Sequence, residues 1–402
     1  MASSKPAALP AASSKPKKRF RLFSVSQGFD MPFLIILMII LVVGLICQFS
    51  AGYAYSYYWN DGDSFYFIKR QLIFALLGVA AMLFISTIDY HILHHFAIPL
   101  MLVSLAMLVV VLFLPASDGI HRWIRLPGLQ FQPSEIAKFA LILLFAHLIS
   151  LNHKKMKTFL AGYLPFILIL GLTCGLVFLE PHLSGTILLL GIGIVMMYVG
   201  GTRLLYLLGT VGLGVGAVIY MVFFKGYEQD RIRVWLDPMG VFAENPNEAW
   251  QTVQSLYAIG SGGVMGQGLG NSRQKHLFLP EPQNDFIFSV ICEELGFVGA
   301  VLVIVLFALL LWRGITIGMK SPDKFGSMLA VGLTAQIGLQ AFMNMAVVTN
   351  TIPNTGISLP FFSYGGTSLV MLLAQMGVVL SISRNASLGR SSPLEKRRPD
   401  KP

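Results

Sequence analysis

Apolar runs of about 20 residues recur along almost the whole chain, interrupted by short polar connections and by one long one. They fall near residues 32–53, 71–88, 96–114, 133–151, 159–178, 184–200, 204–224, 286–312, 326–349 and 364–383. A helix of roughly 20 residues crosses a hydrocarbon core of about 30 Å. Backbone polar groups cannot go unpaired in lipid, and these runs are too long and too uniformly apolar for barrel strands, so they are read as helices. The pattern predicts an all-α polytopic membrane protein of about ten transmembrane helices, with residues 31–384 as its membrane domain. The one long connection, 225–285 between the seventh and eighth spans, is 61 residues, a length typical of functional or disordered loops. Its aromatic and aliphatic content argues that it folds.

Composition agrees: of 402 residues 55% are hydrophobic and only 12% charged, which excludes a soluble domain of this size. Charge fixes the orientation, because short cytoplasmic loops retain Lys and Arg. The tail 1–30 carries Lys5, Lys15, Lys17, Lys18, Arg19 and Arg21, and the tail 385–402 carries Arg390, Lys396, Arg397, Arg398 and Lys401, with Arg384 just before it. Lys154, Lys155, Lys157, Arg203, Arg313, Lys320 and Lys324 fall in loops on the same side. Both termini are therefore expected in the cytoplasm, and the long loop outside. The net charge of +10 is a topology signal with some attraction to anionic lipid heads, and no nucleic-acid partner is implied. The first run is too long for a signal h-region and is expected to stay as a span. The Ala-, Ser-, Pro- and Lys-rich start reads as disordered. Cys47, Cys174 and Cys292 lie in spans, so neither a disulfide nor a thiolate metal site is expected.

The polar residues worth weighing gather in the outward connections. Pro133 and Ser134 read as a helix start, with Glu135 and Lys138 on one face three residues apart. Their plain reading is a dipole-complementing Glu with a pairing or snorkelling Lys, and the competing one is a cavity-facing ion pair. Glu180-Pro181-His182 reads as a tight turn. In the long loop, Arg231 and Arg233 alternate with apolar residues, and Gln254 and Ser255 precede a glycine run, Gly260 to Gly270, that lacks a P-loop ending. Those glycines allow positive φ or close backbone approach. Lys275 and Glu281 lead on to Asp285, where the chain returns to the membrane. Asp285 is a natural helix N-cap, and the helix dipole would favour its ionised form, ready to accept a proton. Glu293 and Glu294, one to two turns further, need an interior partner. Residues 350–368, with two prolines and paired glycines, read as a re-entrant or broken helix lining a cavity.

The segments FQPSEIAK, QSLYAIGSGGVMGQGLGNSRQKHLFLPE, DFIFSVICEELGFVG and TGISLPFFSYGGTS resemble the signature regions of the SEDS family, the FtsW, RodA and SpoVE proteins, over about residues 30–385. The GxGLGxSxQK pattern is more similar to the division and sporulation branch. The resemblance implies a peptidoglycan glycosyltransferase acting on lipid II at the outer face of the bacterial plasma membrane, at the division septum, beside a class B penicillin-binding transpeptidase and other divisome proteins. It maps the family's essential aspartate onto Asp285. The chain departs from the family in having Gln283-Asn284 where His-Thr is usual, and Pro181-His182 where Pro-Asp is usual. A diphosphate leaving group needs no acid, so one base suffices where a glycosidase needs two carboxylates. Lys138, Arg231, Arg233 and Lys275 are candidates to offset the pyrophosphate, with Mg2+ or Mn2+ expected and Asp285 a possible ligand. Gln254, Ser255, Glu135 and Glu281 complete the expected substrate-binding set. Two other readings stand beside this one. A lipid II flippase would use the same spans, and a division scaffold would draw on the basic tails and on Gly212 and Gly216 as a helix-packing pair.

Overall fold

The computed structural model describes residues 28–114, 122–126, 129–225 and 229–386. The expectation of disorder for the first 27 residues and of a basic tail after 386 lies outside them. Fourteen α-helices are described: α1 Met31–Trp59, α2 Tyr66–Thr87, α3 Leu93–Leu112, α4 Pro133–Asn152, α5 Phe159–Gly162, α6 Leu164–Leu179, α7 Leu183–Gly200, α8 Leu204–Lys225, α9 Gln229–Leu236, α10 Pro238–Glu244, α11 Pro246–Gly262, α12 Ile287–Met319, α13 Lys324–Val348 and α14 Gly366–Asn385. Among the described residues nine helical stretches are long and apolar enough to cross a membrane; the remaining expected run, the seventh, is α8, whose apolar part is the shorter Leu204–Gly216. The molecule is an all-α polytopic membrane protein. Two features were not foreseen. The long loop is helical, through α9, α10 and α11, and a small antiparallel hairpin, Ile124–Leu126 paired with Leu129–Phe131, precedes α4.

Local chemistry sets the helix ends. Asp30 caps α1, its Oδ1 accepting from Phe33 N at 2.9 Å, with Pro32 in the first turn, where a missing N–H costs nothing. Asp323 does the same for α13, accepting from Gly326 N at 2.8 Å. Gly201 closes α7 in the left-handed conformation, φ 98°, which glycine adopts without strain.

The spans differ in depth. In α13, 72% of the most apolar window is buried, against 28% in α2 and in α3. Helix α13 is thus the central post, and the outer faces of α2 and α3 meet lipid. Close packing of α2 on α14 depends on Gly377, whose Cβ position is filled by the Met82 backbone, and on Gly78, which abuts Leu373; small residues permit such approach between membrane helices. Gly212 and Gly216 have nothing against them within 4 Å, so among the described residues they pack no helix.

Helix α12 is broken at Gly296, φ 66° and ψ −164°. The glycine run supplies the partner for this break. Gln267 N donates to Glu293 O at 3.0 Å and Gly268 N to Glu294 O at 2.9 Å, while Phe297 N donates to Gly263 O at 2.9 Å. The positive φ of Gly263, Gly266, Gly268 and Gly270 and the absence of side chains let this strand of loop lie directly on α12. Glu293 and Glu294 find their partners here. Glu293 accepts from Ser272 Oγ at 2.5 Å and Arg273 N at 2.9 Å. Glu294 accepts from Lys275 Nζ at 2.8 Å and Ser50 Oγ at 2.7 Å.

At the end of the bundle where α1 begins, the buried Asp30 carboxylate accepts from Arg313 Nε at 2.9 Å and Nη2 at 2.7 Å. Asp30 N donates to Ser383 Oγ at 3.0 Å. One residue thereby joins the start of α1 to α12 and α14.

Candidate active site

At the end of the bundle opposite Asp30, Asp285 lines a polar cavity of about 370 Å³ with Arg122, Asp230, Arg231, Glu248, Gln251, Asn350, Asn354 and Gly356. The walls come from four directions: the approach to the hairpin, α9, α11, and the irregular segment after α13. Asp285 is not the cap of α12. The cap position is Phe286 and no side chain bonds there, so the carboxylate is left facing the cavity. Its expected stabilisation by the helix dipole is also outweighed: burial pushes its carboxyl up to about 6, Glu281 adds to the rise, and Arg122 opposes it. Desolvation disfavours the charged form more than one guanidinium restores it. Such a group is ionised at neutral pH and still basic enough to take a proton.

The residues beside Asp285 are held from behind. Arg231 Nη1 donates to Asn354 O at 3.2 Å, and Arg122 Nε donates to Glu180 O at 3.1 Å. The Glu180 carboxyl is fully buried with no hydrogen-bond partner on either oxygen, and burial pushes it up to about 8 against the pull of Arg122. It is therefore mostly protonated at neutral pH. His182 is pushed down to about 3 by burial, with Arg122 and Lys138 both repelling a proton from its ring. Its Nδ1 lies 3.2 Å from Gln132 Nε2. Lys138 Nζ donates to Glu135 Oε1 at 2.7 Å, both side chains nearly buried. Ser184 Oγ donates to Gly356 O at 3.3 Å, which ties this turn to the cavity wall.

The expected binding residues are distributed differently. Arg231 lines the cavity. Glu281 is exposed, accepts from Asn284 Nδ2 at 2.9 Å and acts on Asp285 through its charge. Glu135 and Lys138 sit as a buried pair beside His182. Arg233, on the opposite side of α9, faces Glu244 at 3.5 Å with both side chains exposed. Lys275 is 2% exposed and committed to Glu294, Ser50 and the Gly270 carbonyl. Ser255 is spent on Ser289 Oγ at 2.7 Å and Val348 O at 2.8 Å. Gln254 is buried in α11 and does not line the cavity. Lys275, Gln254 and Ser255 thus hold the frame, because burial against neighbouring helices turned them away. Arg122 also lines the cavity, although its place in the connection before the hairpin carries no sequence signal that ties it to Asp285. The segment 350–368, expected as a re-entrant or broken helix, is irregular over 350–365 apart from a turn at 360–363, with 366–368 already in α14; Pro353 and Pro360 remove donors and Gly356 and Phe361 take positive φ.

Among the described residues no three His, Cys, Asp or Glu side chains group as a metal site. A divalent cation here would need ligand phosphates together with one or two of Asp230, Glu248 and Asp285, the manner in which Mg2+ is commonly held.

Comparison with known proteins bears on this arrangement. The model of the FtsW, RodA and SpoVE family, described as cell cycle proteins, matches residues 31–388. A probable peptidoglycan glycosyltransferase FtsW from Geobacter sp. (strain M18) is 40% identical over 362 residues, covering 89% of this chain and 97% of that protein. Stage V sporulation protein E of Bacillus subtilis is 40% identical over 359 residues, covering 88% and 97%. A chain of a peptidoglycan synthase complex, described as coordinating polymerization and crosslinking, superposes with a TM-score of 0.73 at 28% identity over 89% of this chain and 98% of that one. The rod shape determining protein RodA of Thermus thermophilus superposes with a TM-score of 0.65 at 27% identity over the same shares. The chain belongs to the FtsW, RodA and SpoVE family of cell cycle proteins.

Proposed function

We propose that this protein is a peptidoglycan glycosyltransferase that polymerises lipid II into glycan strands at the outer face of the plasma membrane during cell division, with Asp285 as general base. The observation that carries the reading is the Asp285 carboxylate, raised to about 6, in a cavity that also presents Arg122 and Arg231. The relatives named as glycosyltransferases support the reaction class.

In the step proposed, the acceptor's GlcNAc 4-hydroxyl oxygen attacks the donor MurNAc anomeric carbon with inversion. The bond from that carbon to the diphosphate oxygen breaks, its electron pair leaving with undecaprenyl pyrophosphate. The hydroxyl proton passes to Asp285. A positioned base contributes typically about 10²- to 10⁴-fold. Arg122 and Arg231 are assigned to the diphosphate, where donors aimed at developing charge in a site shielded from water act strongly. Mg2+ or Mn2+, if bound with the diphosphate, would supply further charge neutralisation. Glu135 and Lys138 are assigned to shaping the neighbouring turn, with His182 kept neutral so that it adds hydrogen-bonding capacity without charge. A class B penicillin-binding transpeptidase is the proposed partner, in line with the synthase complex whose chain this one resembles.

The test is polymerisation of purified lipid II, with and without a class B transpeptidase and divalent metal. Wild type is expected to give glycan ladders, and Asp285→Asn to lose at least about 10²-fold while remaining folded. Near wild-type ladders from Asp285→Asn would remove the base assignment; no ladders from wild type under any condition, with lipid II translocation in vesicles, would make it a flippase. Arg122→Ala and Arg231→Ala are each expected to lose roughly ten- to hundredfold, the worth of a hydrogen bond to a charged group.

A further inference from the structure

Three consecutive carbonyls leading into the site are each captured by a different donor. Tyr364 N donates to Gln283 O at 2.8 Å, Ser363 Oγ to Asn284 O at 2.8 Å, and Asn344 Nδ2 to Asp285 O at 2.6 Å. The third differs from the others. The same Asn344 amide nitrogen donates to Ile357 O, also at 2.6 Å, so its two hydrogens bridge two backbone segments. One is the main chain of Asp285 itself. The other follows Gly356, where an added Cβ would stand 3.2 Å from Asp285 Oδ2; Gly356 is the wall the carboxylate faces.

Asn344 is suited to this because of where it stands. It lies fully buried on α13, the most enclosed of the spans. Gln340, one turn earlier, donates to Ser358 O at 3.1 Å, so one face of α13 buttresses residues 357–358 through side-chain amides. The amide's NH2 gives one hydrogen to each carbonyl, a neutral donor pair that fixes the amide's orientation. A hydroxyl has one hydrogen and a carboxylate none.

We propose that Asn344 is a positioning residue for the reaction, setting the place of the Asp285 carboxylate relative to the Gly356 wall by tying both backbones to the central helix. The inference rests on the reading of Asp285 as base. A displacement of about 1 Å at a reacting group costs on the order of 10²-fold in rate, and this amide is the tie that reaches Asp285 itself while also holding the segment after Gly356.

The experiment uses the full-length protein with its transpeptidase and lipid II. Asn344→Leu keeps the side chain's bulk and removes both donors; Asn344→Ser retains one. Each is measured for thermal stability, for the split between kcat and KM, and for the pH dependence of kcat/KM. The expected result is a folded Asn344→Leu with kcat reduced by roughly 10- to 100-fold, KM within about threefold, and the acidic limb of the profile displaced from wild type, with Asn344→Ser intermediate. Wild-type kcat and pH profile in a folded Asn344→Leu would overturn the proposal. So would a loss of activity that only tracks the folded fraction. If Asn344→Leu does not fold, the same readings on Asn344→Ser decide. Asp285→Asn run alongside separates the two ideas: a dead Asp285→Asn with a normal Asn344→Leu rejects the positioning role alone, whereas an active Asp285→Asn rejects the base.

Discussion

A carboxylate raised to about 6 gives the proposed catalyst a defined pH signature. The base is competent only when ionised, so activity should climb through about pH 6 and level off above it, and the acidic limb should follow Asp285. Replacing Glu281 by Gln removes a charge that contributes to the rise and should move that limb to lower pH, readable from initial rates between pH 5 and 7. Glu180 offers a second test, this time on stability. Its carboxyl is raised from 4.5 to about 8 in the fold, so the folded state holds the proton more tightly than the unfolded chain does. That contribution is complete below about pH 4.5 and is lost as pH rises through about 8. His182, lowered from 6.5 to about 3, works in the opposite sense and has finished changing above about pH 6.5. The thermal midpoint of Glu180→Gln, which mimics the protonated form, should therefore gain on wild type between pH 6.5 and 8. A constant difference across that window would mean that Glu180 is ionised in the fold. Sequence reading could single out Asp285 as an ionisable group at a membrane boundary. It could not place Arg122 against Asp285, since they come together from connections distant in the chain, nor foresee the buried state of Glu180.

The broken helix α12 and the glycine run that lies on it form one structural unit. Glycine density showed that the backbone needed room, and the structure shows that the visitor is another stretch of backbone. At Gly296 a Cβ would overlap the Gly266 amide, with φ at 66°. Gly296→Ala should cost more than about 1 kcal/mol and lower the melting temperature in detergent while Asp285 stays in place. The buried network of Lys275 with Glu294 and Ser50 should be less forgiving. Lys275→Met leaves Glu294 uncompensated, a loss of roughly 3–5 kcal/mol for a broken buried pair, and should reduce the yield of folded protein. If Lys275→Met instead folds fully and loses only activity, Lys275 belongs with the substrate. Apolar periodicity was enough to locate nearly every span, since lipid imposes one length and one chemistry. It did not locate α9, α10, α11 or the hairpin, which form where water competes for backbone hydrogen bonds and the pattern is weaker.

The spans together place all of the site's polar groups at one end of the bundle. Arg122, Glu180, Asp285 and Asn354 fall in connections on the side opposite Lys154, Arg203 and Lys324 in an alternating path of helices. The orientation can be checked in intact cells with a membrane-impermeant thiol reagent. Asn245→Cys, between α10 and α11, should label from outside and Lys155→Cys should not, with the native cysteines sheltered in spans. The end opposite the site is closed by Asp30, whose partner Arg313 follows 283 residues later in the chain and whose partner Ser383 follows 353 residues later. At a synthesis rate of about 5–20 residues per second, the carboxylate at the start of α1 reaches the membrane roughly 15–60 s before its counter-ion is made. That end of the bundle is thus assembled last by residues made first, and a ribosome that stalls before α12 leaves behind a membrane-inserted chain whose first helix still lacks the partner of Asp30.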